Sequence, residues 1–229
     1  MDISYNCENQ KFNYRVCAMI IAENKILAMH DECSPYFYLP GGRVKMGETA
    51  EQAVVREVQE ELEATYYGCY FLEFADYYCQ ENNDEREMLK LLYQSLRALT
   101  SSAYDKRLVR FIFELKAMSV NGEAPNVFAC LKCGKKEELN WFVTKRGGCV
   151  CDPCEKKEAS TEESGRFFLN ESTLYTMQYI ISARVEKLYT FSVSDSVLRQ
   201  LLAIMKSYRA VYLDHTFQSL KMLEGLFTG

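Results

Sequence analysis

The sequence predicts an α+β protein: a short piece of strands, loop and helix, followed by a mainly α-helical domain with an inserted cysteine-rich ribbon. Three observations lead there. The hydrophobic period changes from strand-like to helical at about Tyr66. A glycine-bounded loop at residues 41–48 feeds a helix bearing Glu57, Glu60 and Glu61. Two Cys-x2-Cys pairs, Cys130/Cys133 and Cys151/Cys154, are separated by 17 residues.

From Tyr14 to Asp31 the chain reads as a hairpin. An apolar strand runs Tyr14 to Ile21, Glu23-Asn24 supplies the turn, and Lys25 to His30 returns. A short aromatic strand, Tyr36 to Leu39, stops at Pro40-Gly41-Gly42. Thr49-Ala50-Glu51-Gln52 has the form of a capping box, in which a threonine hydroxyl and a glutamine side chain satisfy each other's backbone N–H. It opens a helix to about Glu61 or beyond. Tyr70, Phe71, Phe74 and Tyr78 then recur at helical spacing, as do Met88, Leu91, Leu92, Leu96 and Leu99. A third helix, about Tyr104 to Val120, stops at Asn121-Gly122. Cysteine-rich chain follows to about Cys154, then a polar loop from Lys156 to Gly165. Helices are expected again at about Ser172–Ala183, Ser194–Leu213 and Phe217–Leu226.

Charge narrows the class. The net charge is −5, and residues 1–65 carry all of it, with 6 Lys/Arg against 11 Asp/Glu. Residues 66–229 hold 21 of each. Neither part has the basic excess of an autonomous DNA-binding domain, whose affinity comes largely from neutralising phosphates. No apolar run approaches the roughly 18 residues of a membrane span, and the polar opening Met1-Asp2-Ile3-Ser4 is no secretory signal. A soluble, cytoplasmic protein with no membrane partner is expected. The cysteines outside the two pairs, Cys7, Cys17, Cys33, Cys69, Cys79 and Cys149, are expected as buried thiols. His30 and His215 are the only histidines, which leaves a histidine-based triad without support.

Glu57, Glu60 and Glu61 stand at i, i+3 and i+4, so one helix face carries three carboxylates. Such a face suits a hard divalent cation, Mg²⁺ or Mn²⁺, holding a pyrophosphate. Arg56 would orient a carboxylate, and Gly41-Gly42 lets the backbone turn into the loop. With Gly42, Glu48 and Arg56-Glu57 at fixed offsets, the pattern is similar to the Nudix box. That resemblance implies Mg²⁺-dependent hydrolysis of nucleoside diphosphate derivatives, with Glu57, Glu60 and Glu61 as metal ligands, Glu48 supporting the loop, and Gly41 and Gly42 on the substrate side. The sequence departs from the pattern at Glu63, where the closing glycine belongs, and at Ala64. The strands that complete the family's sandwich are not visible after the box.

The two cysteine pairs match a closed tetrahedral site in which four thiolates bind structural Zn²⁺ and staple a segment too small for its own core. Gly134 and Gly147-Gly148 supply the turns, Cys149 is an extra thiol nearby, and Trp141-Phe142 is expected to pack the ribbon. Arg107 to Met118, the run through Asn121-Gly122 into Cys130-Leu-Lys-Cys133-Gly134, and Ser172 to Ser182 after the second pair give an order that resembles the RecO family of bacterial recombination-repair proteins. The likeness runs from about Tyr66 to the C-terminus. It implies binding of RecR and of single-stranded DNA-binding protein, and strand loading or annealing. The family's leading OB-fold is replaced here by the Nudix-like piece, which leaves direct DNA contact without its usual surface. Arg184, Lys187, Arg199, Lys206 and Arg209 are candidates to face an acidic partner peptide.

The expected organisation is therefore a partial Nudix-type domain at 1–65 and a RecO-like helical domain at 66–229, with the ribbon at about 126–158. Its leading function is that of a RecO-like repair and recombination protein. The enzyme alternative is a Nudix-type hydrolase with a zinc-binding helical appendage, and a third is a fusion active in neither sense.

Overall fold

The structure is a computed structural model that describes residues 1–8, 10–22, 24–30, 35–157 and 165–225. The chain divides into two compact units, Met1–Tyr66 and Tyr67–Gly229, and passes from one to the other within a single helix.

In the first unit, β1 (Ser4–Cys7) pairs antiparallel with β2 (Gln10–Asn13), a hairpin the sequence reading missed. Its marker is the cross-strand pair Tyr5 and Phe12, whose rings stack at 5.0 Å. The expected strand from Tyr14 to Ile21 is divided into β3 (Arg15–Cys17) and β4 (Ile21–Ala22). β4 pairs with β5 (Lys25–Ile26) across a turn in which Asn24 takes φ +59°; Glu23 lies outside the described residues, as does Asp31 at the expected hairpin end. The strand expected at Tyr36–Leu39 reduces to one bridge, Met29 to Tyr38. The strand forms instead at β6 (Gly41–Arg43), against β3. Close backbone approach selects it: a Cβ on Gly41 would sit 2.2 Å from the Val16 carbonyl oxygen.

α1 (Ala50–Tyr78) opens with the capping box as expected. Thr49 N–H donates to Gln52 Oε1 at 2.9 Å, and Gln52 N–H donates to Thr49 Oγ1 at 3.2 Å. Its later turns bury Tyr67, Tyr70, Phe71 and Phe74 on one stripe. α2 (Arg86–Leu99) and α3 (Lys106–Val120) follow, the latter capped by Asp105 and stopped at Gly122, φ +79°. After the ribbon come α5 (Glu171–Ser182), α6 (Asp195–Tyr212) and α7 (Gln218–Gly225), each within two residues of its expected limits among the described residues. α7 is capped by Glu73 of α1, whose carboxylate accepts the N–H groups of Gln218 (2.8 Å) and Ser219 (2.9 Å) and the Ser219 hydroxyl. Lys116, buried under the end of α5, donates to the carbonyls of Ile181 (2.9 Å) and Ala183 (2.6 Å).

α3 is buried continuously from Phe111 to Met118. Phe113 stacks on Phe71 at 4.2 Å between ring centroids, and Phe217 stacks on Phe74 at 5.1 Å. Among these rings lies Glu114, with no exposure. It accepts from the Tyr70 hydroxyl at 2.6 Å and faces Arg110 at 3.4 Å and Arg209 at 3.5 Å. Arg209 therefore belongs to the core, correcting its expected place on a partner surface. Two thiols also depart from expectation: Cys17 and Cys69 are exposed, the latter falling off the aromatic stripe of α1. Cys149 is buried as expected, and Cys33 lies outside the described residues.

Removing one partner from a buried charge cluster leaves the others uncompensated, at about 3–5 kcal/mol. Arg209→Ala is expected to destabilise the helical unit by an amount of that order in a urea melt. Arg199→Ala, at an exposed position of the same helix, is expected to leave the midpoint close to wild type.

Candidate functional site

The ribbon is a three-stranded antiparallel sheet with β7 (Trp141–Val143) between β8 (Gly148–Val150) and β9 (Arg166–Phe168). β9 was not foreseen; Arg-Phe-Phe is too short for a period to show. Part of the polar loop before it, residues 158–164, lies outside the described residues. Gly147 turns β7 into β8 with φ +70°, and a Cβ there would meet the Tyr212 hydroxyl at 2.6 Å. A Cβ on Gly148 would sit 2.5 Å from the Asn126 carbonyl oxygen, so glycine is required where 126 and 148 bridge.

Each cysteine pair sits on a tight turn. In the first, Gly134 (φ +72°) donates its N–H to the Cys130 carbonyl at 2.9 Å. In the second, Cys151 precedes α4 (Asp152–Lys156), and its carbonyl accepts the N–H groups of Cys154 and Glu155, both at 3.0 Å. The four sulfurs of Cys130, Cys133, Cys151 and Cys154 lie within 4.8 Å of one another, with Cys133 and Cys151 at 3.6 Å. A tetrahedron with Zn–S bonds of about 2.3 Å has S···S edges of about 3.8 Å, so the quartet fits that ion with small adjustment. Cys149, in the middle of β8 opposite Phe142, stands outside the quartet, and burial pushes its thiol up to about 12.

Burial alone would raise the Cys130 thiol, but N–H groups of Cys133, Cys151 and Lys132 outweigh it and bring the group down to about 6. Lys132 and Cys151 donate to its sulfur at 3.4 Å each. Its neighbours move the other way: burial raises Cys151, and hydrogen bonding with Cys151 and Cys133 raises Cys154 to about 12. The Cys130 thiolate forms readily while Cys151 and Cys154 resist, a conflict that a divalent cation at the centre would relieve.

Two carboxylates beside the second pair hold the ribbon closed. Asp152 accepts from Trp141 Nε1 and Asn140 Nδ2, both at 2.9 Å. Glu155 pairs with Arg166 of β9 at 2.7 Å, both largely buried. Trp141 thus serves ribbon packing, its ring edge-on to Phe168 at 5.3 Å. The ribbon seats on α6 through Ser207 to Thr144 at 3.1 Å and through the Tyr208 ring against Phe142.

In the first unit, Arg56 organises the loop. Its Nε and Nη2 donate to the two Glu48 oxygens at 2.8 and 3.0 Å, and Nη2 also reaches the Arg43 carbonyl at 3.1 Å. Nη1 donates to Glu57 at 2.8 Å and lies 3.5 Å from Glu60. Glu61 takes a different partner, the Gly41 N–H, at 3.2 Å. Gly42 leaves room for Glu57: a Cβ there would fall 2.2 Å from that carboxylate. Arg56 and the Lys45 N–H hold Glu48 down to about 2. Burial and the Glu57 charge raise Glu61, against the Gly41 N–H. Arg56 thus contacts Glu48, Glu57 and Glu60 together. A cation among Glu57, Glu60 and Glu61 would have to displace it, and among the described residues the cysteines are the only potential metal donors that converge.

A family model described as recombination protein O, C terminal, matches residues 59–221. The chain belongs to the RecO C-terminal family. The match begins inside α1, so Glu60 and Glu61 fall within it and residues 1–58 precede it. Proteins named DNA repair protein RecO are similar to this chain over half of its length or more. That of Alkaliphilus metalliredigens is 23% identical over 179 residues, covering 77% of this chain and 71% of the relative. That of Caldanaerobacter subterraneus is 27% identical over 164 residues, 71% and 64%. That of Bacillus pumilus is 33% identical over 117 residues, 51% and 44%. The chain thus spans between under half and about seven-tenths of these relatives' length. No helix among the described residues is long and apolar enough to cross a membrane.

Two outcomes follow. Cys130→Ser, or chelation of the wild type, is expected to lower the melting temperature and raise hydrogen exchange in β7 and β8, with Cys149→Ser having much less effect on metal content. Glu48 is expected to stay ionised well below the ordinary carboxylate range. The stability that its ion pair contributes is present above the unfolded value near 4.5 and lost as pH falls through about 2, observable in a carboxyl NMR titration.

Proposed function

We propose that this chain acts in recombinational DNA repair as a RecO-type mediator, in the cytoplasm, with a RecO-like helical domain at 66–229 serving as its partner-binding part. Structural Zn²⁺ on Cys130, Cys133, Cys151 and Cys154 keeps the ribbon at about 126–158 seated on α6. The family match over residues 59–221 carries this reading, and the names of the similar proteins agree with it. The partners are RecR and single-stranded DNA-binding protein. The even charge of residues 66–229 favours protein partners over autonomous DNA contact. Arg184, Lys187, Arg199 and Lys206, all exposed, are cations that would face an acidic peptide. Titration of the zinc-loaded chain with RecR and with the acidic tail of single-stranded DNA-binding protein tests it. Binding to at least one is expected, with tail affinity falling in Arg184→Glu/Lys187→Glu; binding to neither overturns the reading.

Two observations favour a second activity. The fit of Gly42 around the Glu57 carboxylate and the Gly41–Glu61 hydrogen bond are what a partial Nudix-type domain at 1–65 would need. On this reading Glu57, Glu60 and Glu61 hold Mg²⁺ or Mn²⁺, which supplies charge neutralisation on a nucleoside diphosphate derivative. Glu48 and Arg56 brace the loop, and Gly41 and Gly42 border the substrate. Mg²⁺-dependent phosphate release that disappears in Glu60→Gln supports it. No release from folded protein leaves the loop as a structural clasp.

A further inference from the structure

Charge inside the helical unit does not balance. Arg110 and Arg209 both lie against the same oxygen of Glu114, Oε1, at 3.4 and 3.5 Å. Tyr70 donates to that oxygen as well and stays neutral. The cluster thus holds two guanidinium groups against one carboxylate, and Arg110 Nε and Arg209 Nε are buried there without a hydrogen bond. Positive charge held away from water is costly unless a counter-charge comes within reach.

Arg209 leads out of that core. It is only 9% exposed, yet it lines a cavity of about 210 Å³ between α6 and α7. Lys206, Arg209 and Ala210 reach the cavity from α6 at i, i+3 and i+4, and Leu220, Lys221 and Glu224 reach it from α7. Leu213 and Phe217, both buried, add apolar wall. Lys206 and Lys221 are exposed, and among the described residues neither forms an ion pair. Glu224 is the one carboxylate among the described lining residues and is itself exposed. Three cations against one carboxylate leave a surplus of two positive charges. His215, also in the lining, faces Glu73 at 4.0 Å. The N–H groups that open α7 are taken by Glu73, so the side chains rather than that helix end make the site.

The surplus identifies the ligand. A phosphate monoester carries about −1.5 to −2 charges near pH 7 and presents three acceptor oxygens, which suits one guanidinium and two ammonium groups. A carboxylate brings one charge and would leave part of the surplus unmet. We propose that the cavity between α6 and α7 is an anion site for a phosphate group, held by Arg209, Lys206 and Lys221. The proposal does not depend on the repair reading. It shares Lys206 with the cations set against an acidic peptide, so such a peptide enters the test as a competitor.

Calorimetric titration of the full, zinc-loaded chain with inorganic phosphate, at constant ionic strength in chloride, tests it. The wild type is expected to bind a single phosphate saturably and to melt at a higher temperature when loaded. Lys206→Gln/Lys221→Gln, at exposed positions, is expected to weaken binding by about tenfold or more. Glu224→Gln is expected to strengthen binding, and Lys187→Gln, outside the cavity, to leave it unchanged. Zinc content and the far-ultraviolet helix signal establish that each variant is folded. Adenosine monophosphate separates the sources of the phosphate: tighter binding than inorganic phosphate marks an organic ester as the ligand, and equal or weaker binding marks the free ion. Acetate and a short aspartate peptide are expected to compete poorly. A wild type without saturable binding overturns the proposal. Binding that survives Lys206→Gln/Lys221→Gln also overturns it, as an adventitious ion only, and so does acetate or the peptide competing as well as phosphate.

Discussion

Glu114 sits at the centre of the helical unit with no access to water, and the helices around it are arranged by the need to satisfy it. A bare carboxylate there would be untenable, so Tyr70 of α1 donates a hydrogen bond and Arg110 and Arg209 bring positive charge from α3 and α6. Arg209 also donates to Tyr70 at 3.1 Å, so the hydroxyl is fixed from both sides. Burial, reinforced by the Glu114 charge, raises Tyr70 well above its ordinary value, which keeps it protonated as a donor. The aromatic stack of Phe71, Phe74, Phe113 and Phe217 excludes water around this cluster, and those rings are close enough for their edges and faces to add to plain burial. Hydrophobic area provides the stability; the ion cluster fixes which helix face meets which.

The ribbon depends on the same frame. Its strands are three residues long and could not stand alone, so two supports hold it: the cysteine quartet at one end and α6 at the other. Tyr208 joins them, its ring tilted against Phe142 and its hydroxyl donating to the Glu123 carbonyl just past α3. Disruption of the cysteine quartet would therefore be felt in α6. Asp152 and Glu155 add a second layer, tying the knuckle that carries Cys151 and Cys154 to β7 and β9.

The first unit has no comparable centre. Arg56 is its organiser, gathering Glu48, Glu57, Glu60 and the Arg43 carbonyl around one guanidinium. Around that clasp Val44 and Ala53 are buried, while Met19, Ile21, Tyr36 and Phe37 stand exposed. A polar clasp sets geometry but supplies little of the free energy that holding a backbone in place requires.

The sequence by itself determined the helical order, the cap at Thr49, the stop at Gly122 and the cysteine quartet, because each is written in local spacing or in the chemistry of a single residue type. It also marked Arg56 and the carboxylates of α1 as a set, through their offsets. Short strands escaped it: β1, β2 and β9 hold three or four residues, too few for a period, and β6 formed at Gly41–Arg43 rather than in the aromatic run before it. Only tertiary structure decided that Arg209 faces Glu114 instead of a partner and that Arg56 divides its guanidinium among three glutamates. Those outcomes turn on contacts between residues up to 139 positions apart, where Arg209 meets Tyr70. Local pattern fixes which face a side chain takes on its own helix or strand, whereas the partner it meets there depends on how the elements pack.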